Sequence, residues 1–313
     1  MRQSFRFGAL CYIISVIGGG IMSLLKKKYE LVNPDEKPID TDVYFRKAKE
    51  EYTSILSCDY QEKVYQKFFE ENPAFLPGAY EIIGNATGHA PYMNALISQP
   101  IIDDCIQRKP DFMWLAKNSL CFCPVLIEIE RPSKEEFRKD EYARSGFTQA
   151  VGQIKQWKAI LNSTNGREQF YERYSIPQNL RALKFTPQYL LVFGRRSEYK
   201  EDQWLTRLRA EEESSDTRIF SFDRLMEPSR DIYDTVTCKV SDGNYYVISI
   251  PPTFVYRPGL SNNYGKLINF KQAVTKMRYT SDGRKQFLLN RYSYWVEFGE
   301  SANLGIIDTS DKE

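Results

Sequence analysis

Histidine is almost absent from this sequence of 313 residues, since only His89 is present. A site that needs two or three imidazoles, such as that of a zinc protease, is therefore excluded, and a Ser-His-Asp hydrolase is disfavoured. The six cysteines form no CxxC pair and no closely spaced framework. Thinly scattered cysteines are typical of reduced thiols in a cytosolic protein. Any catalysis is expected to rest on carboxylates, lysines or amides.

The chain also lacks an excess of charge of either sign, an internal repeat and a low-complexity tract. Lysine and arginine total 43 against 41 acidic residues, which gives a net charge of +2. Any surface for nucleic acid must therefore be local. With 42% hydrophobic residues, the chain carries enough apolar material for a packed core, which excludes a wholly disordered chain. The length indicates one large domain or two modest ones.

The longest run without charge lies near the N-terminus, over residues 7–25. Its length reaches the lower limit of a membrane-spanning helix, although three glycines at 18–20 weaken this interpretation. Basic residues flank both ends, so the charge bias predicts no clear orientation. Three alternatives stay open: an anchor in the inner membrane, a true start at Met22 with a mis-assigned leader before it, or a buried helix. We expect a cytoplasmic protein, with membrane contact through residues 7–25 as the alternative.

Downstream of a polar linker, hydrophobic periodicity predicts alternating helices and strands. Helices are expected at 43–56, 60–72, 146–161 and 201–212, and strands at 111–116, 120–130, 188–193 and 219–222. This order is typical of an α/β or α+β layer architecture. The pattern changes after residue 226, where a hairpin at 235–250 and a helix at 286–298 are expected. We therefore divide the chain into an apolar segment with linker (1–45), a main domain (46–226) and a C-terminal accessory region (227–313).

Acidic residues cluster on two of the predicted strands. Glu128 and Glu130 are two residues apart on one strand, so their side chains share a face. A hairpin can bring Asp111 of the preceding strand beside Glu128. Carboxylates at the end of apolar strands repel one another, but a divalent cation between them makes the arrangement tolerable, and oxygen ligands favour Mg²⁺ or Mn²⁺ over zinc. Salt-bridged acids at an exposed strand end are the alternative interpretation.

Two predicted helices offer further polar side chains. Gln149 and Gln153 lie one turn apart and share a helix face, and Lys155 lies on another face of the same helix. Glu62 precedes Tyr65 by three residues, which places it on the core-facing stripe of its helix. A carboxylate at such a position calls for a partner. An acid favoured by the dipole at the helix N-terminus explains Glu62 equally well.

The ordered series of these motifs resembles the PD-(D/E)xK nuclease signature, and more closely the C-terminal domain of Shedu-type anti-phage defence proteins. The resemblance is carried by EKVYQKFFEENPAFL at 62–76, KPDFMWL at 109–115, VLIEIERPSK at 125–134, QAVGQIKQW at 149–157, YLLVFGRR at 189–196 and RIFSFDRLM at 218–226. Together these motifs span about half the chain. The resemblance implies an α/β fold with a restriction-endonuclease-like core, in which helices flank a mixed central sheet over residues 46–226. The C-terminal β-hairpin and helix would form an accessory region.

By this resemblance Asp111 and Glu128 are metal ligands, and the carbonyl of Ile129 is a third. Glu62 would reach the Mg²⁺ or Mn²⁺ directly or through water. The implied activity is that of a metal-dependent DNA endonuclease in prokaryotic anti-phage defence. Such enzymes hydrolyse phosphodiester bonds mainly through positioning and electrostatic stabilisation. The resemblance also suggests self-association into a homo-oligomer.

The chain departs from the nuclease signature at one position. Glu130 stands where the family carries a lysine that positions the attacking water and stabilises negative charge. A second metal ion, Lys134 or Lys155 could supply the missing charge. Gln149 and Gln153 would orient water or contact the phosphate backbone. Because of Glu130, a catalytically inactive module that binds nucleic acid or mediates oligomerisation is the alternative function.

The C-terminal region contains a basic stretch. Between residues 256 and 291 there are eight basic residues and a single acid, Asp282, with tyrosines interleaved. Basic side chains contact phosphates, and aromatic rings stack on exposed bases. We therefore expect Arg278, Arg284 and Lys285 to bind DNA, together with Lys155. A solvated basic helix or an oligomer surface is the alternative.

Overall fold

The computed structural model describes residues 27–58, 60–82, 85–86, 89–103, 109–301, 307–308 and 310–313. The uncharged segment at 7–25, and with it each alternative proposed for that segment, lies outside these residues. Within the described part of the chain, no helix combines the length and the apolar character needed to cross a bilayer.

Helices and strands alternate along the described chain. The helices are α1 (Thr41–Leu56), α2 (Glu62–Glu71), α3 (Ser145–Asn162), α4 (Thr164–Arg173), α5 (Gln178–Arg181), α6 (Gln203–Glu211), α7 (Ser261–Tyr264), α8 (Phe270–Thr275) and α9 (Asp282–Glu300). The strands are β1 (Glu81–Ile82), β2 (Asn85–Ala86), β3 (Ala95–Ser98), β4 (Phe112–Lys117), β5 (Cys121–Ile129), β6 (Lys184–Phe185), β7 (Gln188–Val192), β8 (Thr217–Phe220), β9 (Val236–Ser241), β10 (Asn244–Ser249) and β11 (Leu267–Ile268). Asp40 caps α1 by accepting hydrogen bonds from the N–H groups of Asp42 and Val43. Helix α2 stops before Pro73, which has no N–H to continue it.

A mixed nine-stranded sheet forms the centre of the fold. Its strands follow the order β11-β10-β9-β3-β4-β5-β7-β8, and β6 pairs with β5. β4 is antiparallel to both β3 and β5, whereas β5, β7 and β8 run parallel to one another. The predicted C-terminal hairpin is present as β9 and β10, and β9 pairs in parallel with β3. The sheet therefore continues past residue 226 into the region that the sequence predicts to be accessory.

Both faces of the sheet are buried under helices and loops. Along β5, Leu126 packs on the side of α3, whereas Val125 and Ile127 pack on the side of α1 and α2. Trp157 of α3 and Trp295 of α9 belong to the same core as Leu126 and are fully buried. β7 is buried on both faces, as its continuous apolar sequence predicts. This two-sided burial leaves the strand ends as the places where polar side chains can converge.

Candidate active site

The hairpin of β4 and β5 carries two of the predicted metal ligands. Phe112 at the start of β4 pairs with Ile127, which places the preceding Asp111 beside the end of β5. The N–H of Asp111 donates to the carbonyl of Ile127 (3.0 Å), and Asp111 Oδ2 accepts the N–H of Ile129 (2.8 Å). Asp111 is thus held through both its backbone and its side chain next to Glu128, as the sequence predicts.

Glu128 is a buried carboxylate with one unsatisfied oxygen. Only 8% of the residue is exposed, on the face of β5 that packs against α3. Gln153 Nε2 donates to Glu128 Oε1 (2.9 Å), which confirms that the Gln153 face of α3 turns toward the acidic strand. Glu128 Oε2 is buried without a hydrogen-bond partner. A buried carboxylate oxygen in this state is costly unless a ligand compensates for it.

The predicted acids share one electrostatic environment. Burial raises the pKa of Asp111 well above its ordinary value, and the charges of Glu62 and Glu130 raise it further. Burial also raises the pKa of Glu128 well above the ordinary value, with added repulsion from Asp111, Glu130 and Glu62. Glu62 and Glu130 therefore lie close enough to Asp111 and Glu128 to oppose the ionisation of these two acids.

Glu62 is positioned differently from the prediction. It is the first residue of α2 and is exposed, so it does not lie on the buried stripe of the helix. The structure bears out the alternative, an acid in the first turn, where the helix dipole favours negative charge. Loss of water around its carboxyl still raises the pKa of Glu62, and Glu130 adds to this, whereas Lys134 and Arg131 lower it. Glu62, at the end of the helix, thus lies near Asp111, Glu128 and Glu130, which are called the acidic cluster below.

A lysine accompanies the acid that departs from the nuclease signature. Lys134 Nζ forms an ion pair with Glu130, and both side chains are largely shielded from solvent. Lys155, the other candidate, is exposed on a face of α3 that Gln153 does not occupy. Together with Lys158 and Glu212 it lines a separate cavity. Lys134 is therefore the lysine that the structure brings to the carboxylates.

The donor set fits a magnesium-like cation with an incomplete protein shell. Among the described residues, no three His, Cys, Asp or Glu side chains are placed to hold a metal ion by themselves. Mg²⁺ is usually bound by one or two carboxylates and keeps several waters, which suits Asp111 and Glu128 with the unpartnered Oε2. The N–H of Ile129 points to Asp111, whereas that of Glu130 donates to Val192 (2.9 Å). Because the N–H and C=O of a strand residue point the same way, the Ile129 carbonyl also faces the Asp111 side.

Two glutamines extend the site, one predicted and one not. Gln149 is exposed on α3, one turn before Gln153. Gln66, which the sequence does not single out, is buried on α2, and its Nε2 donates to Ser98 Oγ (3.2 Å) and to the carbonyl of Asp111 (3.4 Å). A glutamine next to Tyr65 on a buried helix face is the signal that could have identified it. Gln66 positions the backbone that presents Asp111.

The C-terminal arginines have structural contacts, which corrects the prediction for Arg284. Arg284 is 1% exposed and donates to the carbonyl of Phe254 (2.8 Å) and to Glu313 (2.7 Å), so it cannot reach a phosphate from this position. Arg278 pairs with Glu51 (3.0 Å) and Glu71 (2.5 Å), which ties the C-terminal region to α1 and α2.

Lys285 lies on α9 with Asp282 at 3.8 Å and is only partly exposed. Lys155, the remaining member of the predicted set of basic DNA contacts, is exposed on α3. The partly or fully exposed members, Arg278, Lys285 and Lys155, remain proposals for DNA contact. Arg284 instead links α9 to Phe254 and Glu313 in the interior of the protein.

Comparison with protein-family models finds a family that matches more than half of this chain. A family model described as Shedu protein SduA, C-terminal, matches residues 59–226. No curated protein matches the chain. The matched region covers more than half the chain and contains Asp111, Glu128, Glu130 and both helices that face them. The chain belongs to the Shedu SduA family, which is associated with anti-phage defence.

Proposed function

We propose that this chain is a metal-dependent nuclease of the PD-(D/E)xK type that hydrolyses phosphodiester bonds in DNA during anti-phage defence. The observation that carries the proposal is the pair of carboxylates at adjoining strand ends, Asp111 and Glu128, of which Glu128 is buried with its Oε2 left unpartnered. Burial raises the pKa of both acids, and the charge of Asp111 raises that of Glu128 further, so the pair is unfavourable for folding by itself. Their placement is explained if they bind a cation.

The residues around the acids have separate parts in the proposed reaction. When bound, Mg²⁺ or Mn²⁺ supplies charge neutralisation at the phosphate and a more acidic water. The Ile129 N–H fixes the rotamer of Asp111, and Gln153 fixes that of Glu128, so both acids are oriented before substrate arrives. Gln149 lies on the exposed side, where it can donate to a phosphate oxygen or orient water.

Lys134 takes the part that the motif's lysine has in the family. Its ammonium contacts Glu130, the residue that replaces that lysine, and it also lowers the pKa of Glu62. A cation in this position stabilises negative charge that develops on the phosphate. One observation favours the alternative function, an inactive module that binds nucleic acid: the acid at position 130 raises the negative charge of the cluster instead of lowering it.

The proposal is tested by cleavage with the full-length chain. Supercoiled plasmid, linear DNA and RNA are each incubated with Mg²⁺, Mn²⁺ or EDTA, using wild type, Asp111→Ala and the control Glu297→Gln, an exposed acid on α9. We expect metal-dependent cutting of DNA by wild type and by the control, and at least about 100-fold less cutting by Asp111→Ala. Cutting of none of the substrates, with equal DNA binding by wild type and Asp111→Ala, would support the inactive module.

A second set of variants tests the lysine. Lys134→Ala is expected to lower kcat about 100-fold or more, because one stabilising charge at the phosphate is lost, whereas Lys155→Ala should leave kcat nearly unchanged. Adding Glu130→Lys to Lys134→Ala restores a lysine at the motif position and should recover much of the rate. Single-turnover cleavage with saturating DNA measures the effect. Equal rates for Lys134→Ala and wild type would remove Lys134 from the mechanism.

A further inference from the structure

The segment 131–144, called the arm below, links the acidic strand β5 to helix α3. It folds back on itself as a short hairpin, in which Phe137 forms an antiparallel bridge with Ala143. The N–H of Arg138 donates to the carbonyl of Tyr142 (2.8 Å), and the N–H of Arg144 donates to the carbonyl of Glu136 (2.8 Å). The arm thus has a defined shape, although its charged sequence resembles that of a loop.

Buried contacts fix the base of the arm. Glu136 has no exposed surface and forms an ion pair with Arg209 of α6, which is itself 9% exposed at its side chain. Glu198 Oε1 accepts the N–H groups of Glu136 (2.7 Å) and Phe137 (2.9 Å). The ring of Phe137 packs against Phe147 of α3, with the ring centroids 5.8 Å apart.

The strand next to β5 also supports the base of the arm. Gly194, two residues after the end of β7, has φ of +61°, and a Cβ there would lie 3.0 Å from the carbonyl oxygen of Lys134. A side chain at this position would push the arm away from the sheet. The base is therefore held against α6, α3 and the end of β7 together.

The outer end of the arm presents an aromatic ring together with two cations, Arg138 and Lys139, and two acids, Asp140 and Glu141. Tyr142 is 72% exposed, which leaves most of a large ring in water. Lys139 and Arg138 beside it are exposed, and Arg138 pairs with Asp140 (2.6 Å) at the surface. An exposed ring with flanking cations matches single-stranded nucleic acid, whose bases stack on aromatic side chains while its phosphates attract lysine and arginine.

Chain connectivity places this ring near the acidic cluster. Two residues lie between Lys134, which contacts Glu130, and Phe137, and Phe137 pairs with Ala143, the neighbour of Tyr142. Given the reach of an extended chain, the Cα atom of Tyr142 lies within about 20 Å of that of Lys134, whose ammonium contacts Glu130. A nucleic acid bound across the site can therefore contact both.

We propose that the arm is a nucleic-acid-binding element in which Tyr142 stacks on an unpaired base and Lys139 and Arg138 contact the adjoining phosphates. The inference rests on the proposed function, because it concerns the DNA substrate of the same site. It adds that this substrate contains unpaired bases. It differs from the predicted C-terminal contacts, since it places the binding surface next to β5 and α3.

Binding of a fluorescein-labelled single strand to the full-length chain in EDTA tests the arm without cleavage. We expect Tyr142→Ala to raise the Kd about 10-fold. Tyr142→Phe, which keeps the ring, should stay within about twofold of wild type. The matched control is Leu120→Ala, because Leu120 is 77% exposed in the turn at the other end of β5. Lys139→Ala should flatten the slope of log Kd against log salt by about 0.7.

The outcomes separate the arm from the nuclease proposal. Wild type that binds no nucleic acid, or Tyr142→Ala that binds as wild type does, would overturn the arm whatever the cleavage assay shows. If binding depends on Tyr142 but no substrate is cut under any condition, the proposal for the arm is supported and the nuclease proposal is wrong. If Tyr142→Ala changes the oligomeric state in size-exclusion chromatography and leaves the Kd unaltered, the ring is a self-association contact and the proposal is wrong.

Discussion

Glu128→Gln is expected to lose metal-dependent cleavage and, in EDTA, to be more stable than the wild type. The substitution removes a buried negative charge that Asp111, Glu130 and Glu62 oppose, and it keeps the size of the side chain. Replacement of a poorly compensated buried charge by a neutral group typically stabilises a protein by about 1–3 kcal/mol. Cleavage should fall at least about 100-fold, because the unpartnered oxygen that would face the cation is gone. A substitution that raises the stability of the protein and abolishes its activity indicates that the original residue is kept for activity and not for stability.

The stabilisation should depend on pH in a defined direction. Burial holds the pKa of Glu128 well above its ordinary value in the folded chain. A carboxyl whose pKa is raised by folding contributes stability that is fully present below the unfolded pKa of about 4.3 and is lost as the pH rises through the folded pKa. The advantage of Glu128→Gln over wild type should therefore be small near about pH 4–5 and grow toward neutral and higher pH.

Urea denaturation in EDTA and in Mn²⁺ measures both effects on the same samples. Mn²⁺ should stabilise the wild type, because binding to the folded state alone adds stability, and should leave Glu128→Gln nearly unchanged. Glu297→Gln removes an exposed acid on α9 and serves as the control. Equal Mn²⁺ stabilisation of wild type and Glu128→Gln would show that Glu128 does not bind the metal.

The parts of the site that could be predicted depend on local spacing. Asp111 and Glu128 meet because a short turn joins two strands, and Gln153 faces Glu128 because helix α3 packs on one face of β5. Such relations follow from a strand period of two and from a helix that packs one face on the sheet. The same spacing predicts correctly that Tyr65 is buried on α2. It fails for Glu62, because the helix begins at Glu62 itself.

The parts that could not be predicted depend on residues far apart in the chain. β3 has only four residues, and it is fixed by pairing with β9, about 140 residues away. The sequence pattern predicts no helix between residues 161 and 201, but α4 forms because Phe170 and Tyr171 are buried in the core. The sequence predicts that Arg284 is a surface cation, whereas in the structure it donates to the carbonyl of Phe254 and to Glu313. The burial of such a charged residue depends on partners that are distant in the chain, so the local sequence pattern does not predict it.

Arg209→Ala is expected to have the second large effect, on the stability of the fold around the arm. The substitution leaves Glu136, which has no exposed surface, without its ion-pair partner. Removing one member of a buried pair costs about 3–5 kcal/mol, since the remaining charge is buried and uncompensated. Arg230→Ala is the matched control: Arg230 pairs with Asp42 at the surface, where loss of the pair should cost less than about 1 kcal/mol.

A double substitution separates the loss of charge from the loss of packing. Arg209→Met with Glu136→Gln removes both charges and keeps most of the volume, so it should recover most of the stability lost in Arg209→Ala. Urea denaturation of the wild type, Arg209→Met, Glu136→Gln and the double variant gives the coupling energy between the two positions. A coupling near zero would mean that the pair does not hold the base of the arm.

The same variants connect the arm with the chemistry. Lys134 lies two residues before Glu136, so a base that loosens should displace the ammonium from Glu130 as well as Tyr142 from the nucleic acid. Below its melting temperature, Arg209→Ala should therefore cut DNA more slowly and bind a single strand more weakly, whereas the double variant recovers both. Arg230→Ala should alter neither. If Arg209→Ala is strongly destabilised yet cuts and binds as the wild type does, the pair serves the core alone, and the position of Lys134 is set by β5.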